Sequence, residues 1–174
     1  MYCDGPVAAS SIHEWTELWS WELTPIGIDR IEFTGSGIHS KVRMARVITT
    51  PDLLEGTRWV FRLDQIEAPA GKVTDQHRHP GPGIRCLIEG TFNVHQAAES
   101  RRDLLPGEPW WENGTDAVIA WGSPQIATRF VRGLIIPAEW ETKRTGTPVN
   151  DQPRSDTSGA RGKWDLFVNQ VIEI

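Results

Sequence analysis

With 174 residues, the chain is long enough to bury one ordinary domain core without help from disulfides or structural metals. Its 18 basic and 23 acidic residues are mixed along the sequence and leave a formal charge of -5, which argues against nucleic acid and anionic membranes as partners. The two cysteines, Cys3 and Cys86, stand too far apart for a zinc knuckle or a redox CxxC pair, and neither a leader-like start nor an apolar run of about eighteen residues is found, so a cytoplasmic protein with free thiols is expected.

Nine tryptophans stand against one tyrosine. Each indole carries a large apolar area and one donor that needs a partner when buried, so a Trp-lined cavity and simple core packing both account for the bias. In residues 10–23, Ile12, Trp15, Leu18 and Trp19 recur at helical spacing and Ser11 with Glu14 forms a capping box, which predicts a short helix, with a Trp-rich strand as the alternative. From Thr57 the period changes to two: Trp59, Phe61 and Leu63 alternate with Arg58, Arg62 and Asp64, the pattern of a half-buried strand with its charges outward.

Further short strands are expected at 84–88, 92–96, 117–121 and 129–136, separated by turn clusters such as Pro80-Gly81-Pro82-Gly83 and Glu112-Asn113-Gly114-Thr115. The Asn-Gly-Thr triplet is read as turn chemistry rather than as a glycosylation acceptor. Many short strands and few helices point to an all-β sandwich or barrel. Residues 145–162, TGTPVNDQPRSDTSGARG, read as a mobile loop with no catalytic role. Beyond it Trp164, Leu166 and Val168 alternate in a closing strand, a candidate for exchange in a homodimer.

The informative stretch is APAGKVTDQHRHPGPGIRCLIEGTF, residues 68–92. A glycine, five residues, a His-x-His pair and a glycine at the next turn stand at Gly71, His77, His79 and Gly90, and the stretch resembles the first motif of the cupin superfamily. LLPGEPWWENGTDAVIAW, residues 104–121, is similar to the second, with Gly107 opening a strand. The resemblance extends over residues 57–137 and implies a single-domain cupin barrel, a double-stranded β-helix of jelly-roll type. It divides the chain into an N-terminal extension packing on the barrel (1–56), the barrel core (57–140), and a loop with a C-terminal strand of the same domain (141–174). Two customary ligands are absent: Gly83 stands at the place of the carboxylate and Val118 at that of the last histidine.

His-x-His on a strand turns both imidazoles to one face, where two nitrogens can converge on one ion. His77 and His79 are therefore the candidate metal ligands, against the alternative of two ordinary hydrogen-bonded histidines. Two imidazoles alone hold a metal loosely, so Glu112 on the second-motif strand is the expected third ligand, giving a facial set suited to a divalent ion such as Fe, Mn, Ni or Zn. Its alternatives are a supporting acid or a solvated turn residue, with Asp116 as a weaker substitute.

Arg85 follows the empty carboxylate position by two residues and shares its face if the register holds. There it would orient an anionic substrate or pair with Glu112, while a register slip would turn it to solvent. Trp59, Phe61, Trp110 and Trp111 lie on strands that line such barrels and would wall a flat or apolar small molecule, or simply fill the core. His95, His13 and His39 have no partner motif.

What the resemblance implies is a metal-dependent enzyme acting on a small oxygenated or anionic molecule. A dioxygenase comes first among isomerases, cyclases and lyases, with Arg85 and Glu112 as catalytic residues. The alternatives are a non-catalytic small-molecule-binding barrel and a metal-free acid–base catalyst.

Overall fold

The computed structural model describes residues 19–27, 41–48, 55–97, 99–149 and 162–174. The chain divides into two compact units, Met1–Lys41 and Val42–Ile174. Most of the helix expected over 10–23 falls outside the described residues, and residues 19–23, which are described, are not helical.

All ten described strands lie in the second unit: β1 (Arg58–Ala68), β2 (His77–Arg78), β3 (Gly83–Glu89), β4 (Phe92–His95), β5 (Arg101–Leu104), β6 (Pro109–Glu112), β7 (Ile119–Gly122), β8 (Thr128–Pro137), β9 (Thr147–Pro148) and β10 (Lys163–Glu173). One 3-10 turn, Ala138–Trp140, is the only helical element among the described residues. The strands form a five-stranded sheet in the order β10-β1-β8-β3-β6, a three-stranded sheet in the order β5-β4-β7, and the small pair β2-β9.

The chain changes sheet at each of the links β3–β4, β5–β6, β6–β7 and β7–β8, so it wraps around its own core as a jelly roll. Three of the four links turn on glycines with positive φ, a conformation that side-chain-bearing residues rarely adopt: Gly90 at 85°, Gly107 at 84° and Gly114 at 89°. In the last of these turns Asn113 Oδ1 accepts the Asp116 amide at 2.9 Å, the local turn chemistry expected of an Asn-Gly pair. The fold is all-β and antiparallel, a jelly roll as expected from the two motifs.

The two larger sheets meet through Leu87, Trp110 and Phe130 on one side and Phe92, Val94, Leu104 and Ala120 on the other, with Val118 among them. Phe92, Trp110 and Phe130 stack in tilted and edge-on pairs with centroids 5.1–5.3 Å apart. This contact defines the inward face of the larger sheet. The pairings Leu87↔Phe130, Arg85↔Arg132, Asp64↔Arg132 and Arg62↔Leu134 put Arg85, Arg132, Asp64 and Arg62 on that same face.

The expected orientation of β1 is therefore reversed. Arg62 and Asp64 have no exposed surface, whereas Phe61 and Leu63 are half-buried on the opposite face. The charges tolerate burial because each is satisfied. Arg62 donates to Asn169 Oδ1 and to the carbonyls of Trp140, Glu141 and Lys143 at 2.6–2.9 Å. Asp64 accepts from Arg132 Nε at 2.5 Å, Arg132 Nη2 at 3.0 Å and Trp164 Nε1 at 2.8 Å. Alternation finds a strand but assigns charge to water by default, and these partners lie about 70 to 110 residues away.

Candidate functional site

The His-bearing segment crosses close over β8. Gly81 makes the crossing possible, since a Cβ there would strike the Ile135 carbonyl, and the Pro82 carbonyl accepts the Ile135 amide at 2.9 Å. The segment is held from both sides: His77 exchanges backbone hydrogen bonds with Val118 at 3.0 and 2.7 Å, and His79 N donates to Gly114 O at 3.0 Å. β2 also pairs with β9, placing His77 opposite Pro148 and Arg78 opposite Thr147.

The two rings meet edge to face, with centroids 5.0 Å apart. His79 is buried and His77 is half-exposed. Each ring gives its Nδ1 to a backbone carbonyl: His77 to Asp75 O at 2.8 Å and His79 to Thr145 O at 3.2 Å. A carbonyl can only accept, so both Nδ1 atoms carry the proton, and in a neutral ring the lone pair is on Nε2. Burial drives His79 to a pKa of about 4, against the opposing pull of Glu112, and keeps this ring neutral near pH 7.

Glu112 is the hub of the buried group. Its Oε1 accepts the Trp110 indole N–H at 2.9 Å. Its Oε2 lies 2.8 Å from Arg85 Nη2 and 3.2 Å from His79 Nε2. Neither Oε2 nor Nη2 has a well-directed hydrogen bond, so the Arg85 contact is an ion pair by proximity. Arg85 is anchored at its other amino group, whose Nη1 donates to Gly83 O at 2.5 Å. Burial alone would raise the Glu112 carboxyl, but the Arg85 charge, with help from His79 and Trp110, holds it well below the ordinary carboxylate range. Burial lowers the Arg85 guanidinium to about 10, and it remains charged beside Glu112 at neutral pH.

A neutral His79 thus presents a lone pair to a carboxylate oxygen 3.2 Å away. Two electron-rich atoms at that distance repel unless a cation or a proton stands between them, and the spacing suits two adjacent ligands of one divalent ion. His79 and Glu112 therefore fit a metal in donor type, tautomer and spacing. His77 fits in type and tautomer but not in placement, because among the described residues no three His, Cys, Asp or Glu side chains are grouped closely enough to hold an ion as they stand. Its ring would have to turn to join them.

The other expected residues divide between the two sheet faces. Trp110 points inward, shared between the aromatic core and Glu112. Trp111 alternates with it and pairs with Ile84 on the opposite face. Trp59 and Phe61 also lie opposite to Arg62 and Asp64, and Trp59 Nε1 donates to Thr57 Oγ1 at 2.9 Å. The structure thus brings together His79, Arg85, Trp110 and Glu112, with His77 beside them, and does not bring Trp59, Phe61 or Trp111 to that group.

Gly83 is more than a missing carboxylate, since any Cβ there would run into the Gly133 carbonyl and the Leu134 side chain. Val118 is buried in the apolar cluster. Asp116 is half-buried. His95 is exposed with Nδ1 2.9 Å from Ser100 Oγ, and His13 and His39 lie outside the described residues.

Thr145 is the contributor that the sequence did not reveal. The stretch read as a mobile loop begins with a buried residue whose carbonyl fixes the His79 tautomer, followed by β9; residues 150–161 lie outside the described residues. A backbone carbonyl leaves no mark in a sequence.

No family model matches the chain, and no curated protein is significantly similar to it. Thirteen chains of solved structures match. One is the DMSP lyase DddQ from Ruegeria pomeroyi DSS-3, at 15% identity over 57% of this chain and 46% of that one, with a TM-score of 0.41. Another is KdgF from Halomonas sp., at 21% identity over 45% of this chain and 78% of that one, with a TM-score of 0.34. A third is an oxalate oxidase, at 15% identity over 65% and 69%, with a TM-score of 0.37. The chain spans about half the length of the first. Likenesses this slight carry nothing about metal, substrate or reaction, and the fold is read from the strand order.

Proposed function

We propose that the barrel is a metal-dependent enzyme for a small oxygenated or anionic organic molecule, with a dioxygenase first among the reaction types. His79, Glu112 and His77 would hold one divalent ion (Fe, Mn, Ni or Zn). The observation that carries this reading is that both imidazoles spend their Nδ1–H on backbone carbonyls and so present Nε2 as the lone pair, that of His79 directly beside Glu112 Oε2. A bound ion would polarise a carbonyl or enolate oxygen, or activate oxygen if it is iron. The chain's own part is to fix the donors: Thr145 O and Asp75 O set the tautomers, Trp110 orients the carboxylate, and Arg85 supplies a fixed positive charge for a substrate anion.

A second reading has its own support. The Arg85–Glu112 ion pair at 2.8 Å, almost wholly shielded from water, is what a metal-free acid–base site would use, with His79 exchanging a proton with Glu112. Metal analysis of tag-free protein, alone and as His77→Ala and His79→Ala, separates the two. About one ion per chain, lost in both variants, supports the first. Wild-type protein that takes up none of the four metals after reconstitution overturns it.

A further inference from the structure

Across the inward face of the larger sheet, neighbouring strands carry Asp64 on β1, Arg132 on β8 and Arg85 on β3, with Glu112 on β6 ion-paired to Arg85. The order of charge is minus, plus, plus, minus. Like charges directly opposite each other on paired strands are destabilising, and each of these arginines has a carboxylate only on its outer flank. Asp64 takes the Nε hydrogen and one Nη2 hydrogen of Arg132, leaving the edge formed by Nη1 and the second Nη2 hydrogen for another partner. Arg85 keeps a buried Nη2 with no directed hydrogen bond.

Adding Arg62 gives three guanidinium groups to two carboxylates on this face, a net positive charge before any metal is counted and whatever the state of His79. Asp64 has no exposed surface, whereas the Arg132 side chain keeps 10% of its own, so of the pair only Arg132 has surface left to offer a small molecule.

We propose that Arg132, locked by Asp64 and placed beside Arg85, receives a carboxylate group of the molecule bound in the barrel. The site rests on the reading of the barrel as a small-molecule centre and names the substrate class as carboxylic acids. A planar carboxylate meets a fixed guanidinium edge in two parallel hydrogen bonds and relieves the arginine pair from the side that neither acid covers. Nothing in the sequence pattern marks Arg132 for this, since it sits in a strand where Arg129 and Arg132 read alike.

Calorimetric titration with acetate and with its neutral isostere acetamide tests the site, with metal content measured on the same samples. Acetate should bind wild type at least about tenfold more tightly than acetamide. The double variant Asp64→Asn/Arg132→Gln removes both charges without stranding either, and should lose that preference. Asp64→Asn alone frees the guanidinium and should bind acetate more tightly. Equal binding of the two probes by wild type, a double variant that keeps the preference, or an Asp64→Asn variant that binds acetate more weakly than wild type would each overturn the proposal. Should the double variant fail to fold, Asp64→Asn still decides, since it alters the partner of Arg132 and leaves Arg85, Glu112 and His79 in place. A protein that prefers acetate but holds no metal keeps this site and loses the metal reading, and the converse result does the opposite.

Discussion

The inward face of the larger sheet has two halves that obey different physics. Toward one end, Leu87, Trp110 and Phe130 pack against Phe92, Val94 and Leu104, and burial itself is favourable there. Toward the other, Arg62, Asp64, Arg85, Arg132 and Glu112, with His79 against them from the crossing segment, are as deeply buried, yet desolvation opposes every one of them. The apolar half tolerates any shape that fills it, whereas the charged half exists only while each partner is in place. Trp110 joins the halves with its ring in one and its N–H in the other.

The largest effect should come from breaking one charged pair. Arg85→Met strands Glu112 and should cost about 4 kcal/mol in denaturant unfolding. The double variant Arg85→Met/Glu112→Leu should recover most of that loss, and a double variant no more stable than the single would show that the charges themselves hold the fold. In the apolar half, Leu87→Ala should cost about 3 kcal/mol through its cavity and leave metal content unchanged. If metal is lost with it, the two halves are not independent.

The pH dependence comes next. His79 is buried neutral with its pKa lowered from 6.5 to about 4, so the unfolded chain takes up the proton first. In metal-free protein its contribution is whole above pH 6.5 and declines as the pH falls toward 4, by roughly 3 kcal/mol in all. The depressed Glu112 carboxyl adds a loss of the same sign below its ordinary value of 4.5. Thermal melts at stepped pH check this, and a His79→Gln variant should be flat between pH 6.5 and 4.5 by comparison. The smallest change in stability should come from half-exposed His77: His77→Ala should stay within about 0.5 kcal/mol of wild type while metal binding is lost. A large fall in stability would make His77 structural.

Much of the architecture could be read before the structure. Gly90, Gly107 and Gly114 stand where the chain changes sheet, and only glycine adopts those φ values readily, so local chemistry marks the turns. The strands at 84–88 and 129–136 follow from hydrophobic runs between such turns, and the inward aim of Arg85 follows from strand alternation measured from position 83. The ladder through Asp64 and Arg132 was not legible, and neither was the closed space at Gly83. Each depends on strands far apart in the chain lying side by side, which no local pattern of residues records. The sequence by itself determined the short strands, the glycine turns between them and the pair of histidines, because turn conformation and strand period are local properties, while the jelly roll was what the resemblance of its two motifs implied. Only the tertiary structure decided which charges are buried and with whom, and that a loop carbonyl at Thr145 fixes the lone pair of His79, because a partner about 66 residues away is a fact of packing.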